Sequence, residues 1–388
     1  MTRHQLSRLA GAAACVAAAL TTPSHALHAQ GSLSTLGFGY PVGGMSTRVS
    51  GTAGAFSEVD ALTPTNPSAL GGLTRTVISA QAEPERRTLR FGSAKETTSA
   101  QRIPLLSVIF PARRGVAVGF SMASMLDRSY TLNTTGTVLF DNDTLTTTDR
   151  LSVRGALGKL TAGAGWQATS RLKVGIAGHL FTGDNLVARK QKFSDSLSFG
   201  SITDTSQVTY FGTALSAGAD VRLLKGLAAT MSYRTSGGLD ARVRDTVRAS
   251  ANVPSALGAS IRYDGISGSQ FVLAIEQVAW SKMRGIGSSL TTVHDAMNVR
   301  FGVETAGPKW RGSPIFVRAG YAHNQLPFSI TADRVKETRW STGLGIPLAK
   351  DFGTFDFSLQ RANRSLPGTT AKESAWMFGV GLQVRPGG

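Results

Sequence analysis

Met297-Asn298-Val299-Arg300-Phe301-Gly302-Val303-Glu304 sets apolar side chains at every odd position and polar, charged or Gly residues at every even one. Successive side chains of a strand point to opposite faces, so this stretch has one face for oil and one for water. The pattern recurs in Leu215, Ala217, Ala219, Val221 and Leu223 against Ser216, Gly218, Asp220 and Arg222. It returns in Trp376, Phe378, Val380, Leu382 and Val384 against Met377, Gly379, Gly381 and Gln383.

Working outward, about fourteen such segments are expected near 74–90, 100–110, 115–131, 148–168, 171–189, 206–223, 227–243, 251–263, 269–280, 296–306, 314–322, 336–347, 352–362 and 372–384. The joints between them alternate. Those at 111–114, 169–171, 224–226, 264–268, 307–313 and 348–351 are short, whereas Asn133 to Thr147 and Gln191 to Thr205 read as long polar loops. Short turns on one side and long loops on the other are the sidedness of an outer-membrane barrel. A strand in hydrocarbon cannot leave its backbone groups unpaired, so a spanning sheet must close on itself. The expected fold is therefore all-β: a closed antiparallel transmembrane barrel over 74–388.

Arg3 and Arg8 precede an apolar run from Leu9 to Leu20, followed by Pro23 and small residues at Ala26 and Ala29. That is the layout of a signal peptide over residues 1–29, which predicts export. The formal charge is +17, and removal of residues 1–29 leaves +15. The basic residues are dispersed through strands and turns with no basic helix, so anionic lipid or solute is the expected partner and nucleic acid is not. Cys15, the one cysteine, lies in the signal segment, which leaves no Cys-based metal site.

Residues 30–73 break the rhythm. They are rich in small residues, with Gly51, Gly54 and Gly71-Gly72, and they carry Asp60 and Asn66-Pro67. A segment so poor in bulky apolar residues builds no core of its own. It is expected to be a tail or a plug. Pro67 biases Asn66 away from helix, and the Asn side chain can shape a turn by bonding nearby backbone. Inward positions occupied by Gly119, Gly302 and Gly320 mark bends or the close approach of another chain segment.

Parity assigns Arg150, Arg154, Arg222, Arg234, Arg300 and Arg318 to the lumen. Guanidinium groups there could hold a substrate carboxylate. They could equally be ordinary lumen charge, with Asp220, Glu276, Glu304 and Asp356 as partners. His179, His294 and His323 are far apart and lack metal-ligand spacing. No phosphate loop or nucleotide fingerprint opens a helix, so neither an enzyme nor a cofactor is expected.

The run Gly51-Thr52-Ala53-Gly54-Ala55-Phe56, then Asp60, then Asn66-Pro67-Ser68-Ala69-Leu70, resembles the N-terminal hatch of the FadL family of outer-membrane hydrophobic-compound transporters. Trp280-Ser281-Lys282-Met283, Val299 to Glu304 and Val317 to Tyr321 are similar to its later strands. Ser68 departs from the family's Asn-Pro-Ala motif, and the chain ends without an aromatic residue. The resemblance implies a fourteen-stranded monomeric barrel whose hatch includes Gly51, Gly54, Asp60, Asn66 and Pro67. It implies passage of small hydrophobic molecules through the hatch region or sideways into the bilayer. PorV-like relatives use the same barrel to hold exported proteins, which is the alternative expectation.

Overall fold

A computed structural model describes residues 33–92, 94–140, 143–193, 200–286, 291–348 and 352–386. The expected signal peptide lies outside them, as do residues 349–351 of one short joint. The wall is a closed antiparallel barrel of fourteen strands. Its first half comprises β1 (Val77–Phe91), β2 (Ala94–Arg102 and Leu105–Arg113), β3 (Val116–Asp127 and Tyr130–Phe140), β4 (Asp143–Gln167), β5 (Leu172–Phe193), β6 (Ile202–Leu224) and β7 (Leu227–Arg234 and Gly238–Val243). The second comprises β8 (Thr246–Asn252 and Ala256–Tyr263), β9 (Ser269–Val278), β10 (Ala296–Trp310), β11 (Ser313–Gln325), β12 (Lys336–Pro347), β13 (Gly353–Ser365) and β14 (Lys372–Val384). β14 pairs with β1, from Ile78↔Val384 to Arg90↔Lys372, and this ladder closes the ring.

Two of the interrupted strands break at proline, which has no N–H for the ladder. Pro104 separates the halves of β2 and Pro254 those of β8. The periplasmic turns are tight, with Gly115, Gly226, Gly268 and Gly312 at positive φ. Arg311 and Gly312 both lie in that region, the geometry that lets a two-residue hairpin follow strand twist.

The opposite side departs from expectation. The ladder between β3 and β4 continues from Tyr130↔Val153 out to Phe140↔Asp143, so Asn133 to Thr147 is largely paired strand and not open loop. β5 and β6 likewise stay paired to Gln191↔Ile202. Thr-rich sequence retains strand propensity after the apolar alternation ends, because alternation reports oil on one face and pairing does not need it.

Outward side chains are apolar and exposed through the belt, among them Phe120, Met122, Ile176, Leu215, Met231, Phe301 and Phe378. The interior is filled by residues 33–73, which touch inward-facing positions around most of the ring. Their apolar contacts form three clusters. At the extracellular end Leu33, Leu36 and Tyr40 pack with Trp280, Met283, Phe328 and Leu366. Val49, Ala55 and Phe56 meet Val272 at mid-depth, and Leu62 and Leu70 meet Val77, Ile109 and Ala117.

Candidate functional site

Short polar bonds shape the interior segment before the wall touches it. Ser46 caps the single helical turn Thr47–Ser50, accepting from the Val49 N–H at 3.2 Å. Its hydroxyl donates to Asp60 Oδ2 at 2.9 Å, and the Thr63 N–H and hydroxyl donate to the same oxygen at 3.1 and 2.9 Å. Asp60 thus ties both ends of the loop that contains Gly51 and Gly54. Gly54 adopts φ +88°, which a side chain would strain.

Asn66 serves the next turn. Its Oδ1 accepts from the Ser68 N–H at 3.0 Å and the Ser68 hydroxyl at 2.7 Å, while its Nδ2 donates to the Glu58 carbonyl at 3.1 Å. Pro67 then opens the 3-10 turn Pro67–Leu70, where its missing N–H costs nothing. The departure at Ser68 therefore adds a bond that Ala could not make.

Glycines of the wall receive this segment backbone to backbone. Gly302 and Gly320 lie opposite each other on β10 and β11 and both face Thr52. Gly51 sits on Gly343, its carbonyl accepting from Ser341 Oγ at 2.9 Å. Pro67 rests on Gly175, and the Asn66 side chain on Gly218.

Two ionic clusters join the segment to the wall. In the first, Arg48 binds Glu304 at 2.7 Å and Asp60 at 3.4 Å, and Arg318 binds Glu304 and Asp356, each at 2.6 Å. The second lies across the seam where the last strands meet the first. Arg364 on β13 reaches Glu337 at 2.7 Å, Glu85 at 3.3 Å and Glu373, with all four side chains fully buried. Arg102 on β2 joins Glu85 and lies 2.7 Å from Asp127. Tyr40 stands at the middle, its hydroxyl 3.1 Å from Glu337 and its ring facing Arg364 at 4.4 Å and Arg102 at 5.2 Å.

Of the six arginines assigned to the lumen, three are placed there. Arg318 is ion-paired as above, Arg300 binds Glu276 at 2.6 Å, and Arg234 donates to the Pro254 carbonyl at 3.1 Å. The others are corrections. Arg154 shares parity with exposed Leu160 and Trp166 on β4 and faces outward. Arg150 is exposed on the extracellular extension of that strand, and Arg222 is exposed at the periplasmic rim, where a register shift between β6 and β7 ends regular alternation.

A central cavity of about 120 Å³ lies between the segment and the wall, bordered by Glu58, Lys159, His179, Arg234, Arg300 and Trp280. Lys159 Nζ donates to the Pro64 carbonyl at 3.3 Å, and His179 bridges the hydroxyls of Thr161 and Ser216 at 2.9 and 2.8 Å. Glu58 accepts from Ser232 Oγ at 3.0 Å, and its second oxygen is buried without a donor. Burial, reinforced by the charge of Glu276, pushes its carboxyl up to about 7 against the Ser232 bond and the Arg300 charge.

Pro64 also borders a second, smaller cavity, of about 30 Å³, lined by Leu62, Leu70, Ile109, Gly119, Gly163 and Ala177. Ser107, Phe120, Ser121 and Thr161 of β2, β3 and β4 line both this cavity and an apolar groove on the lipid-facing side. Only one layer of wall, in unbroken register there, separates the two.

The fold has solved counterparts. A FadL homologue from Pseudomonas aeruginosa superposes with TM-score 0.61 at 10% identity, over 88% of this chain and 98% of that one. The toluene transporter TodX of P. putida gives 0.58 at 12%, over 89% and 99%, and the monoaromatic hydrocarbon channel CymD gives 0.55 at 14%, over 89% and 98%. At these identities the likeness shows the fold, a FadL-like β-barrel. No curated sequence matches the chain. The BamG family model matches residues 13–261, which is more than half of the chain, and the protein therefore belongs to the BamG family.

Proposed function

We propose that this barrel is a passive conduit for small hydrophobic molecules, with residues 30–73 as its hatch behind a signal peptide over 1–29. The observation that carries this reading is the succession of spaces just described: central cavity, apolar cavity and lipid-facing groove, adjoining at Pro64 and at the shared wall residues of β2 to β4. The second space is small, about 30 Å³, but it is bordered by the apolar side chains of Leu62, Leu70, Ile109 and Phe120, so a hydrophobic solute would pass it as those side chains move. Transport by the similar channels supports the same reading, as does the absence of any need for chemistry along the route. The barrel acts as a monomer in this scheme.

The test fills the apolar cavity. Ala177→Leu directs a larger side chain into it from β5 and should slow uptake of a fluorescent hydrophobic dye into liposomes containing the barrel. Heat-modified gel mobility checks folding. A folded Ala177→Leu barrel with unchanged uptake would sink the conduit and favour a barrel that docks exported proteins.

A further inference from the structure

The outward face of β12, β13, β14, β1 and β2 carries a second site, unconnected with the lumen. At the extracellular edge Lys336 pairs with Ser365, Ser365 with Lys372, Lys372 with Arg90 and Arg90 with Lys95. The row therefore sets four cations across five adjacent strands, three of them side by side and Lys336 beyond Ser365, and all four are exposed. Adjacent strands lie about 4.8 Å apart, so Lys372, Arg90 and Lys95 span roughly 10 Å. Four residues nearer the membrane centre a second row reads Trp340, Arg361, Trp376, Arg86. Arg361 lies 4.8 Å above the Trp376 ring, and both Trp rings are about half exposed. Below them come Leu344, Phe357, Phe378 and Val380, which belong to the apolar belt.

No Asp or Glu occupies an outward position of these five strands among the described residues, because their acids, Glu83, Glu85, Glu96, Glu337, Asp356 and Glu373, all stand on the inward parity, Glu96 half-buried opposite Leu89 and the others buried. The polarity thus changes over two rows from oil through tryptophan to uncompensated positive charge. Tryptophan marks the interface of a bilayer, and cations just beyond it stand at the level of lipid headgroups. Arg and Lys are the donors that recognise phosphate.

We propose that this face binds a phosphate-bearing glycolipid of the outer leaflet, its acyl chains against Phe378 and Trp376 and its phosphates on the two basic rows. Every member of the row sits in a paired ladder, so the backbone spacing of the cations is fixed.

The experiment titrates the purified full-length barrel in neutral detergent with bisphosphorylated lipid A, following bound lipid by native mass spectrometry. Wild type should bind lipid A and should bind its dephosphorylated form at least tenfold more weakly. Each Lys or Arg near an anionic surface is worth about fivefold. K95Q/R90Q/K372Q/K336Q should therefore weaken binding by at least about 100-fold, whereas R113Q/R114Q at the periplasmic edge should not change it. Folding is checked by gel mobility, and R86Q/R361Q repeats the test with fewer changes should the quadruple variant not assemble. Unchanged binding by a folded variant, equal affinity for dephosphorylated lipid, or competition by millimolar inorganic phosphate to the same extent as by lipid A would each overturn the proposal.

Discussion

Gly302→Ala tests whether the interior segment is held by contact with wall backbone. A Cβ at this position would lie 2.8 Å from Thr52 Cβ, 2.9 Å from Ala55 Cβ and 3.1 Å from the Thr52 carbonyl oxygen. Carbon atoms prefer roughly 3.5–4.0 Å, so the segment must lift by more than half an ångström or the strand must yield. The strand is fixed on both sides by the β9 and β11 ladders. Overpacking of this kind costs about 1–3 kcal/mol, which raises the detached population by roughly 5- to 150-fold. Gly320→Ala presses on the same Thr52 from the neighbouring strand, so the two costs are not expected to add. The assay uses Ser57→Cys as a reporter, because Ser57 is buried inside the barrel and the mature chain is expected to hold no other thiol. Labelling by a hydrophilic maleimide and single-channel conductance should both rise in Gly302→Ala. Gly178→Ala is the comparison, since a Cβ there meets nothing closer than 4.0 Å. Equal labelling and conductance in the two variants would refute the argument that these glycines seat the segment.

Glu58 predicts a pH dependence. A carboxyl raised from its ordinary value of 4.5 to about 7 favours the docked segment when protonated, so docking is strongest below about pH 4.5 and weakens as pH rises toward 7. The shift corresponds to about 3 kcal/mol at most. Labelling at Ser57→Cys, divided at each pH by that of a free thiol so that the growth of thiolate cancels, should accelerate across that window, and Glu58→Gln should remove the trend. A pH-independent wild type would count against it. At the seam, Arg364→Met removes the ion pair of buried Glu373 and one of the guanidinium partners of Glu85 and Glu337, which keep Arg102 and Arg339. Removal of one partner from such a network costs about 3–5 kcal/mol. The urea midpoint of barrel unfolding should drop accordingly, and a midpoint equal to wild type would show that the cluster contributes nothing to stability.

The wall was legible because oil imposes period-two alternation, and Val299 to Glu304 carries it without exception. Where oil ends, so did legibility: Asn133 to Thr147 remains paired with no apolar face to announce it, and Arg154 lies just where parity stops being informative. The glycines at 302 and 320 could be read as contact points because Gly has no other use on a flat inward face. The polar interior was harder. Arg318 and Arg300 and their carboxylates could be named from parity, yet Tyr40, Lys159, Arg364 and the seam cluster were not. A signal existed in Glu83, Glu85 and Arg87 and in Glu337 and Arg339, acids and bases spaced by two along one face. Which of them meet depends on β1 lying beside β14, at almost the full length of the chain, and local spacing does not encode that.

That adjacency bears on the order of assembly. Tyr40 lies among guanidinium groups contributed by both ends of the chain, Arg102 from β2 and Arg339 and Arg364 from β12 and β13. It sits inside, under the extracellular cover of Trp280, Phe328 and Leu366. A sheet already joined from β1 to β14 offers no side door for that ring. Residues 33–42 must therefore be laid in place while the two edges are still apart, and the edges then meet around them. Until they do, Glu85 on one edge and Arg364 on the other hold only partners from their own side, and the Arg364–Glu85 pair that bridges the seam is missing. The final ladder is thus favoured by charge as well as by backbone, and a chain that arrives without its first forty residues positioned would meet a gap where its two ends should find each other.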